Sequence, residues 1–477
     1  MAYSIRSVFK GSLVYSIGQI GTKAFGFLLI PIYTRYLTPT DYGIIGYLQV
    51  FLQILATLLM FGFYGAQTRF YYEYIETPSK VKEFLFSINA YLFAVLIPLC
   101  TILTLWGSQL YVFFNVKEIP FYPFFPIVIW ASFFQIMNQM VISYYLAKKE
   151  YKKCAILQSS QFVFVVCLII FFVVYLKQGA LGQLKGILFG QILFFLVFYF
   201  PYTRNFKFHF NFRYLKYALT FGLPIVFHLF AGVLNNSIDR VILVKFVNLE
   251  KLGVYTLGYQ IGMVMSVIVV SVNMAWQPNY FELMSGKNHD KAFENRRIFS
   301  YWLIGIGCIC LIGMLWSREI LLILTPDEYH LAAGIIPIII LGFFFQGIYF
   351  FAGAPIFQYK KTIILPFLTG ATALLNVAFN FLLIPLFGIY GAAYSTLISF
   401  VFYAVLAYVI GIKLFNPQYE LVKIFTLIGL LSVVPFTVGS MGVCVQSEII
   451  KAMYLAGYLV IAIALFWKYT GSFLKRN

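Results

Sequence analysis

Apolar runs long enough to cross a bilayer alternate with short polar connectors along the whole chain. About 20 consecutive apolar residues span the hydrocarbon core as a helix. Fourteen segments fit that length: 11–34, 43–64, 84–107, 122–147, 156–176, 184–203, 217–238, 252–273, 298–317, 332–357, 363–386, 389–412, 423–443 and 448–468. The runs are continuously apolar, which fits helices and not the alternating strands of an outer-membrane barrel. Pro98 in the third segment, and Pro366 and Pro385 in the eleventh, predict bends. The pattern therefore predicts an all-α polytopic membrane protein with no separate soluble domain.

Polar residues inside these runs are the first candidates for function. Ser12, Ser16, Gln19 and Lys23 recur at helical spacing and form one stripe on the first segment. A lysine near the middle of a span costs about 2.5–3.5 kcal/mol on insertion scales. Such a stripe faces protein or a water-filled cavity, so Lys23 is either a cavity cation or a buried lysine paired for packing. Further stripes are Gln49 with Gln53; Gln135, Gln139 and Ser143; and Thr372, Asn376 and Asn380. Each offers hydroxyl-binding groups, or else hydrogen bonds between helices. His228, Gly232, Asn235 and Asp239 form another stripe, on the seventh segment. Asp239 with His228 suits an H+ or Na+ relay, while Asp239 beside Arg240 suits an ion pair at an outer gate. Arg69 and Glu73, four apart, are either an inner-gate contact or a helical pair.

Charge fixes orientation. The net charge is +18, yet only 10% of residues are charged and 62% are hydrophobic. With the N-terminus inside, inner loops and tails carry 24 Lys and Arg and outer loops carry nine. That bias predicts both termini in the cytoplasm, and it accounts for the basic balance without nucleic acid as a partner. KKEYKKC (Lys148–Cys154) reads as an anchor to anionic lipid. The six cysteines are scattered, so neither a metal nor a disulfide framework is expected. The first run is too long for a cleavable signal and lacks its small-residue site. No long outer loop is present to carry the catalytic residues of a glycosyl-transfer enzyme.

An internal repeat links segments 1–2 to segments 7–8. TRYLTPTDYGIIGYLQ (Thr34–Gln49) lies over VKFVNLEKLGVYTLGYQ (Val244–Gln260), with Arg35 over Lys245 and Gly43 over Gly253. In both, a basic residue in a short outer turn is followed by a glycine that opens the next helix. The offset of 210 residues is six helices. Two six-helix lobes are expected, 1–203 and 217–413, joined by a cytoplasmic linker at 204–216. They should be related by a pseudo-two-fold along the membrane normal. Residues 414–477 form two extra helices and a tail.

Four stretches in this order resemble the Wzx-like branch of the multidrug/oligosaccharidyl-lipid/polysaccharide exporter superfamily. They are TRYLTPTDYG; FGLPIVFHLFAGVLNNSIDRVIL with LGVYTLGY; ILLILTPDEYHLAA; and NVAFNFLLIPLFGIYGAAYSTLISF. The resemblance implies a MATE-like fold around a central cavity. It also implies flipping of a polyprenyl-diphosphate-linked oligosaccharide across the bacterial inner membrane, for O-antigen, capsule or exopolysaccharide. Glycan polymerase and other envelope-assembly proteins are the partner class it suggests, and it implies basic residues in the first helix, where Lys23 stands. Lysine lacks the bidentate phosphate geometry of arginine. No cofactor is expected beyond a coupling H+ or Na+. The substrate-binding set is then Lys23, Gln19, Ser16, Gln49, Gln53, Gln135, Gln139, Asn376 and Asn380. The gating or coupling set is Arg35, Arg69, Glu73, His228, Asp239 and Arg240. Rival readings are a cation-coupled multidrug exporter, which favours acidic cavity residues, a peptidoglycan-precursor flippase, and a membrane-embedded glycosyl-transfer enzyme.

Overall fold

A computed structural model describes residues 26–111, 118–286, 290–440 and 448–468. These residues are predominantly helical, with no strand among them. Twelve helical stretches are long and apolar enough to cross a membrane, and Leu421–Pro435 is a shorter apolar helix. They account for the second to fourteenth predicted segments, whereas most of the first lies outside the described residues. By compactness the chain divides into Met1–Gly253 and Val254–Asn477.

In the first unit, α1 (Ile30–Tyr36) leads into α2 (Pro39–Leu59). The turn residues TPTD set that start. Thr38 Oγ1 accepts the Asp41 N–H at 3.2 Å, Asp41 Oδ2 accepts the Thr38 N–H at 3.0 Å, and Pro39 takes a first-turn position. The sequence places the helix opening at Gly43; the capping box moves it outward to Pro39. The same correction applies at Gly253, which stands inside α9 (Leu249–Gly262). The unit continues with α3 (Phe63–Glu73), α4 (Pro78–Tyr111), α5 (Phe121–Ala147), α6 (Tyr151–Ile170), α7 (Gly179–Phe194) and α8 (Phe212–Leu243). Helices α6 and α7 extend through π turns, Phe171–Tyr175 and Phe195–Tyr199. Gly186 and Gly190 of α7 lie against the backbone at Ile169 and Val165 of α6, the small-residue approach that packs helices in lipid.

A buried polar network fastens α3, α4, α5 and the end of the α7 span to one another. Tyr199 Oη donates to Asn89 Oδ1 (2.9 Å), Asn89 Nδ2 to Tyr202 Oη (3.2 Å), and Tyr202 Oη to Gln67 Oε1 (3.1 Å). Gln67 Nε2 donates to Met140 O and Ser143 Oγ, each at 3.0 Å. With no water in the hydrocarbon, every such group needs a protein partner. The chain of bonds therefore ties α3 rigidly to α5.

The second unit holds the rest of α9, α10 (Val264–Ser285), α11 (Lys291–Leu315) and α12 (Ser317–Leu324). After a 3-10 turn (Asp327–Gly334) come α13 (Ile336–Gln358), α14 (Ile364–Phe387), α15 (Ile389–Leu414), α16 (Leu421–Ser440) and α17 (Glu448–Leu465). Gly388, at φ 55°, turns the α14–α15 hairpin. The small stripe Gly391, Ser395, Ser399, Ala407 and Gly411 is buried along α15. Helix α17 is riveted to α11: Tyr458 Oη donates to Leu303 O at 3.1 Å, over Gly307. Lys451, buried, bonds Glu319 and Glu448, and Trp316 Nε1 donates to Glu448 Oε2 at 2.8 Å.

A neutral polar cavity in the first unit as the candidate functional site

Helices α2, α3, α5 and α8 line a cavity of about 410 Å³. Small-molecule sites measure roughly 300–1,000 Å³, so this one is large enough to hold a small ligand. Gln53, Ala56, Thr57 and Met60 line it from α2, with Gly62 beside them, and Tyr64 lines it from α3. Gln135 and Gln139 come from α5, and Leu229 and Val233 from α8. Half of these ten carry a polar side chain, and none of the ten carries a charge. Three primary amides, a hydroxyl and a phenol both donate and accept hydrogen bonds. The wall is built for neutral polar groups.

On either side of the cavity lining along α2, backbone meets backbone. On one side Gly43 of α2 lies on the start of α9: a side chain there would meet the Leu249 carbonyl carbon at 2.9 Å and Gly253 N at 3.3 Å. Gly253 in turn lies against Pro39, and a Cβ on it would sit 2.9 Å from Gly43 N. The two glycines that the repeat aligns are therefore in mutual contact. On this side Ser237 Oγ donates to Gln53 Oε1 at 3.3 Å. On the other side the helix is interrupted between α2 and α3, where Phe61 and Gly62 have φ of 52° and 68°. Gly222 of α8 fills the break: a Cβ on Gly62 would lie 2.7 Å from the Gly222 Cα.

Beyond that break α3 and α8 stay together through charge and aromatic contacts. Arg69 Nε donates to Glu73 Oε1 (2.7 Å), and Tyr217 Oη donates to Glu73 Oε2 (2.8 Å). The Arg69 guanidinium sits 4.9 Å above the Phe221 ring. Phe70 stacks on Phe84 with ring centres 3.9 Å apart, and meets Tyr214 and Tyr217 edge-on. Arg69 and Glu73 are thus both a helical pair and part of a contact between helices, with Tyr217 as the link.

The structure sorts the remaining candidates. Gln53, Gln135 and Gln139 line the same cavity. Gln49 is part-buried, a turn away from Gln53 and outside the lining. The α5 stripe splits, because Ser143 is buried in the Gln67 network. Asn376 and Asn380 lie in the α14–α15 hairpin, where Asn380 Nδ2 donates to Asn376 O and Oδ1, both at 2.9 Å. Asp239 is buried and accepts the Arg240 N–H at 2.8 Å, with Arg240 Nη1 3.7 Å away. His228 stands about 16 Å along the helix from Asp239, so the two do not touch directly. Arg35 is exposed at the end of α1. Ser16, Gln19 and Lys23 lie outside the described residues. Sequence reading missed Thr57, Tyr64, Gly62 and Gly222. Gly62 and Gly222 carry no chemistry of their own, and only their contact reveals them.

Similarity to known proteins agrees with this architecture. Residues 8–284, more than half of the chain, match the family described as polysaccharide biosynthesis protein. Residues 224–382 match the family described as MatE. A Haemophilus influenzae protein of the Lsg locus is 26% identical over 312 residues, covering 63% of this chain and 73% of that protein. An uncharacterized membrane protein of the same organism is 25% identical over 283 residues, covering 58% and 66%. Among solved structures, the lipid II flippase MurJ in an inward closed conformation superposes with a TM-score of 0.73 at 15% identity, covering 97% of this chain and 99% of that one. An inward-facing MATE family multidrug resistance transporter superposes with a TM-score of 0.65 at 14% identity, covering 82% and 94%. The chain belongs to the polysaccharide biosynthesis protein family and is a multi-pass membrane protein with the fold shared by MurJ and the MATE family transporters.

Proposed function

We propose that this protein flips a polyprenyl-diphosphate-linked oligosaccharide from the cytoplasmic to the outer leaflet of the bacterial inner membrane. The observation that carries the reading is the cavity wall, with three glutamines, a threonine, a tyrosine and no charge among the described residues. A sugar head offers many neutral hydroxyls, which amides can both donate to and accept from. A cationic drug needs a carboxylate, and the lining has none among the described residues. Lys23 is the residue assigned to the diphosphate, as a cation paired to an anion. Cytoplasmic termini follow from the distribution of Lys and Arg.

The cycle follows from the two closures. Parting of α3 from α8 at Gly62–Gly222 opens the cavity to the side bearing Arg69 and Glu73, which the loop charges assign to the cytoplasm. Parting at Gly43–Gly253 opens it to the other side. With both closed, cargo is occluded. Energy coupling through Asp239 or His228 belongs to this proposal and needs its own measurement of H+ or Na+ dependence.

The test is leaflet translocation of a fluorescent polyprenyl-diphosphate oligosaccharide in proteoliposomes at matched protein content. Wild type should flip it; Gln139→Leu should slow flipping by roughly five- to tenfold, the value of one lost hydrogen bond to a polar cargo, and Lys23→Gln should abolish it. Failure of wild type to flip this lipid while exporting a cationic dye would move the protein to the drug-exporter class. Flipping of lipid II in its place would make it a peptidoglycan-precursor flippase, and a new glycosidic product from pure protein would make it an enzyme.

A further inference from the structure

The connector between the spans Gly179–Thr203 and Phe212–Leu243 is neither a helix nor a polar loop. Together with the first turn of α8 it reads RNFKFHFNFRYLK (Arg204–Lys216), with a phenylalanine at every second position from 206 to 212. It contains four basic residues and no acidic one. The backbone is laid along the start of α4. Lys207 N–H donates to Lys82 O (3.2 Å) and Asn211 N–H to Ser87 Oγ (3.0 Å). Lys207 Nζ donates to Glu83 Oε1 (2.7 Å) and Ser79 Oγ (3.0 Å). Glu83, the carboxylate on this stretch of α4, is thereby engaged.

Side-chain placement is the informative part. Phe206 tucks against the Tyr202 ring, with centres 4.9 Å apart. The next three face outward: Phe208, Phe210 and Phe212 are 81%, 48% and 69% exposed, Phe208 meeting the Phe86 ring only edge-on at 5.2 Å. Arg204, His209, Arg213 and Lys216 are exposed around them. A fixed strip of apolar rings rimmed by cations is the pattern of an interfacial lipid contact. Its height favours lipid over a protein partner, because it begins and ends on helices that cross the bilayer and so lies at the membrane boundary.

We propose that Arg204–Lys216 is a docking strip for anionic phospholipid in the leaflet it adjoins. Phe208, Phe210 and Phe212 enter the acyl boundary, and Arg204, Arg213 and Lys216 hold headgroup phosphates. The inference rests on the chain crossing a bilayer and not on the identity of its cargo. It adds a regulatory consequence: Phe212 is the first residue of α8, so headgroup binding sets the depth of a helix that lines the cavity.

The experiment is hydrogen exchange of the peptide 204–212 in nanodiscs of phosphatidylcholine, with and without phosphatidylglycerol. Phosphatidylglycerol should slow exchange, and that effect should shrink about five-fold for each cation removed in Arg204→Gln, Arg213→Gln and Lys216→Gln. Phe208→Ser with Phe210→Ser should speed exchange in both lipids. Exchange across α5 serves as the folding control; a multiple variant that fails it is replaced by Arg213→Gln alone. Identical exchange in the two lipids overturns the proposal. So does protection by added polyprenyl diphosphate in phosphatidylcholine without any from phosphatidylglycerol, since the strip would then serve cargo capture.

Discussion

Gly222→Ala adds one methyl group at the Gly62–Gly222 contact, which closes one side of the cavity in the proposed cycle. The new Cβ would press on the Phe61 carbonyl oxygen and lie 3.1 Å and 3.2 Å from the carbonyl carbon and Cα of Gly62. All three are backbone atoms and cannot turn aside like the end of a side chain. Overpacking of this kind costs about 1–3 kcal/mol. The cost falls only on the state in which α3 and α8 touch, so the ratio of open to closed at this end should rise roughly 5- to 150-fold. Gly232→Ala, on the same helix, is the matched control, because a Cβ there meets nothing within 4 Å. Both changes gain the same helix propensity, which cancels in the comparison. The assay is labelling of Gln139→Cys by a membrane-impermeant maleimide in a background free of the six native cysteines, in vesicles of each orientation. Labelling from the side bearing Arg69 should rise with Gly222→Ala and stay at the parental rate with Gly232→Ala. Equal labelling of the two variants would refute the closure at Gly62–Gly222.

The same labelling assay tests the neighbouring latch. Tyr217→Phe removes the hydroxyl bonded to Glu73, and at an exposed site this should raise labelling by at most about five-fold. Lys451→Met removes a buried cation that holds Glu319 and Glu448. Both carboxylates are partly exposed, so the loss should be about 1–3 kcal/mol; it should appear as a lower Tm in detergent, with a smaller drop for Glu448→Gln. Asn380→Leu removes the donor to Asn376. It should cost about 0.6 kcal/mol of stability and leave the translocation rate per folded molecule unchanged, which a rate loss at wild-type stability would contradict.

Much of the fold was legible because the bilayer enforces a simple rule. A spanning segment must satisfy its own backbone, so length and hydropathy suffice to find it. Boundaries were less legible where polar chemistry sets them. Gly43 looked like a helix opening until Thr38 and Asp41 supplied a capping box four residues earlier. The thirteenth segment, expected at 423–443, is the helix Leu421–Ser440.

The site was half legible, and the reason separates two kinds of residue. Gln53, Gln135 and Gln139 were visible because an amide in an apolar run is costly and demands a partner. That logic cannot say which partner, and Ser143 and Asn380, equally polar, found theirs in the protein. Sequence periodicity gives the face of a helix, whereas convergence on a cavity requires knowing which faces meet. The glycines were invisible for the opposite reason. Gly43, Gly62, Gly222 and Gly253 act through the absence of a side chain, at crossings where two backbones touch. Gly232 and Gly222 lie on one helix and look alike in sequence, yet one faces open space and the other a carbonyl oxygen. A closure made of backbone contact would have a physical advantage under the proposed cycle around a polar cargo. It buries no side-chain charge when closed and leaves none stranded when open, so neither state carries the several-kcal/mol penalty of an unpaired buried ion. The charges that do take part, Arg69 and Glu73, sit at the exposed end beyond the glycines, where water can receive them in either state.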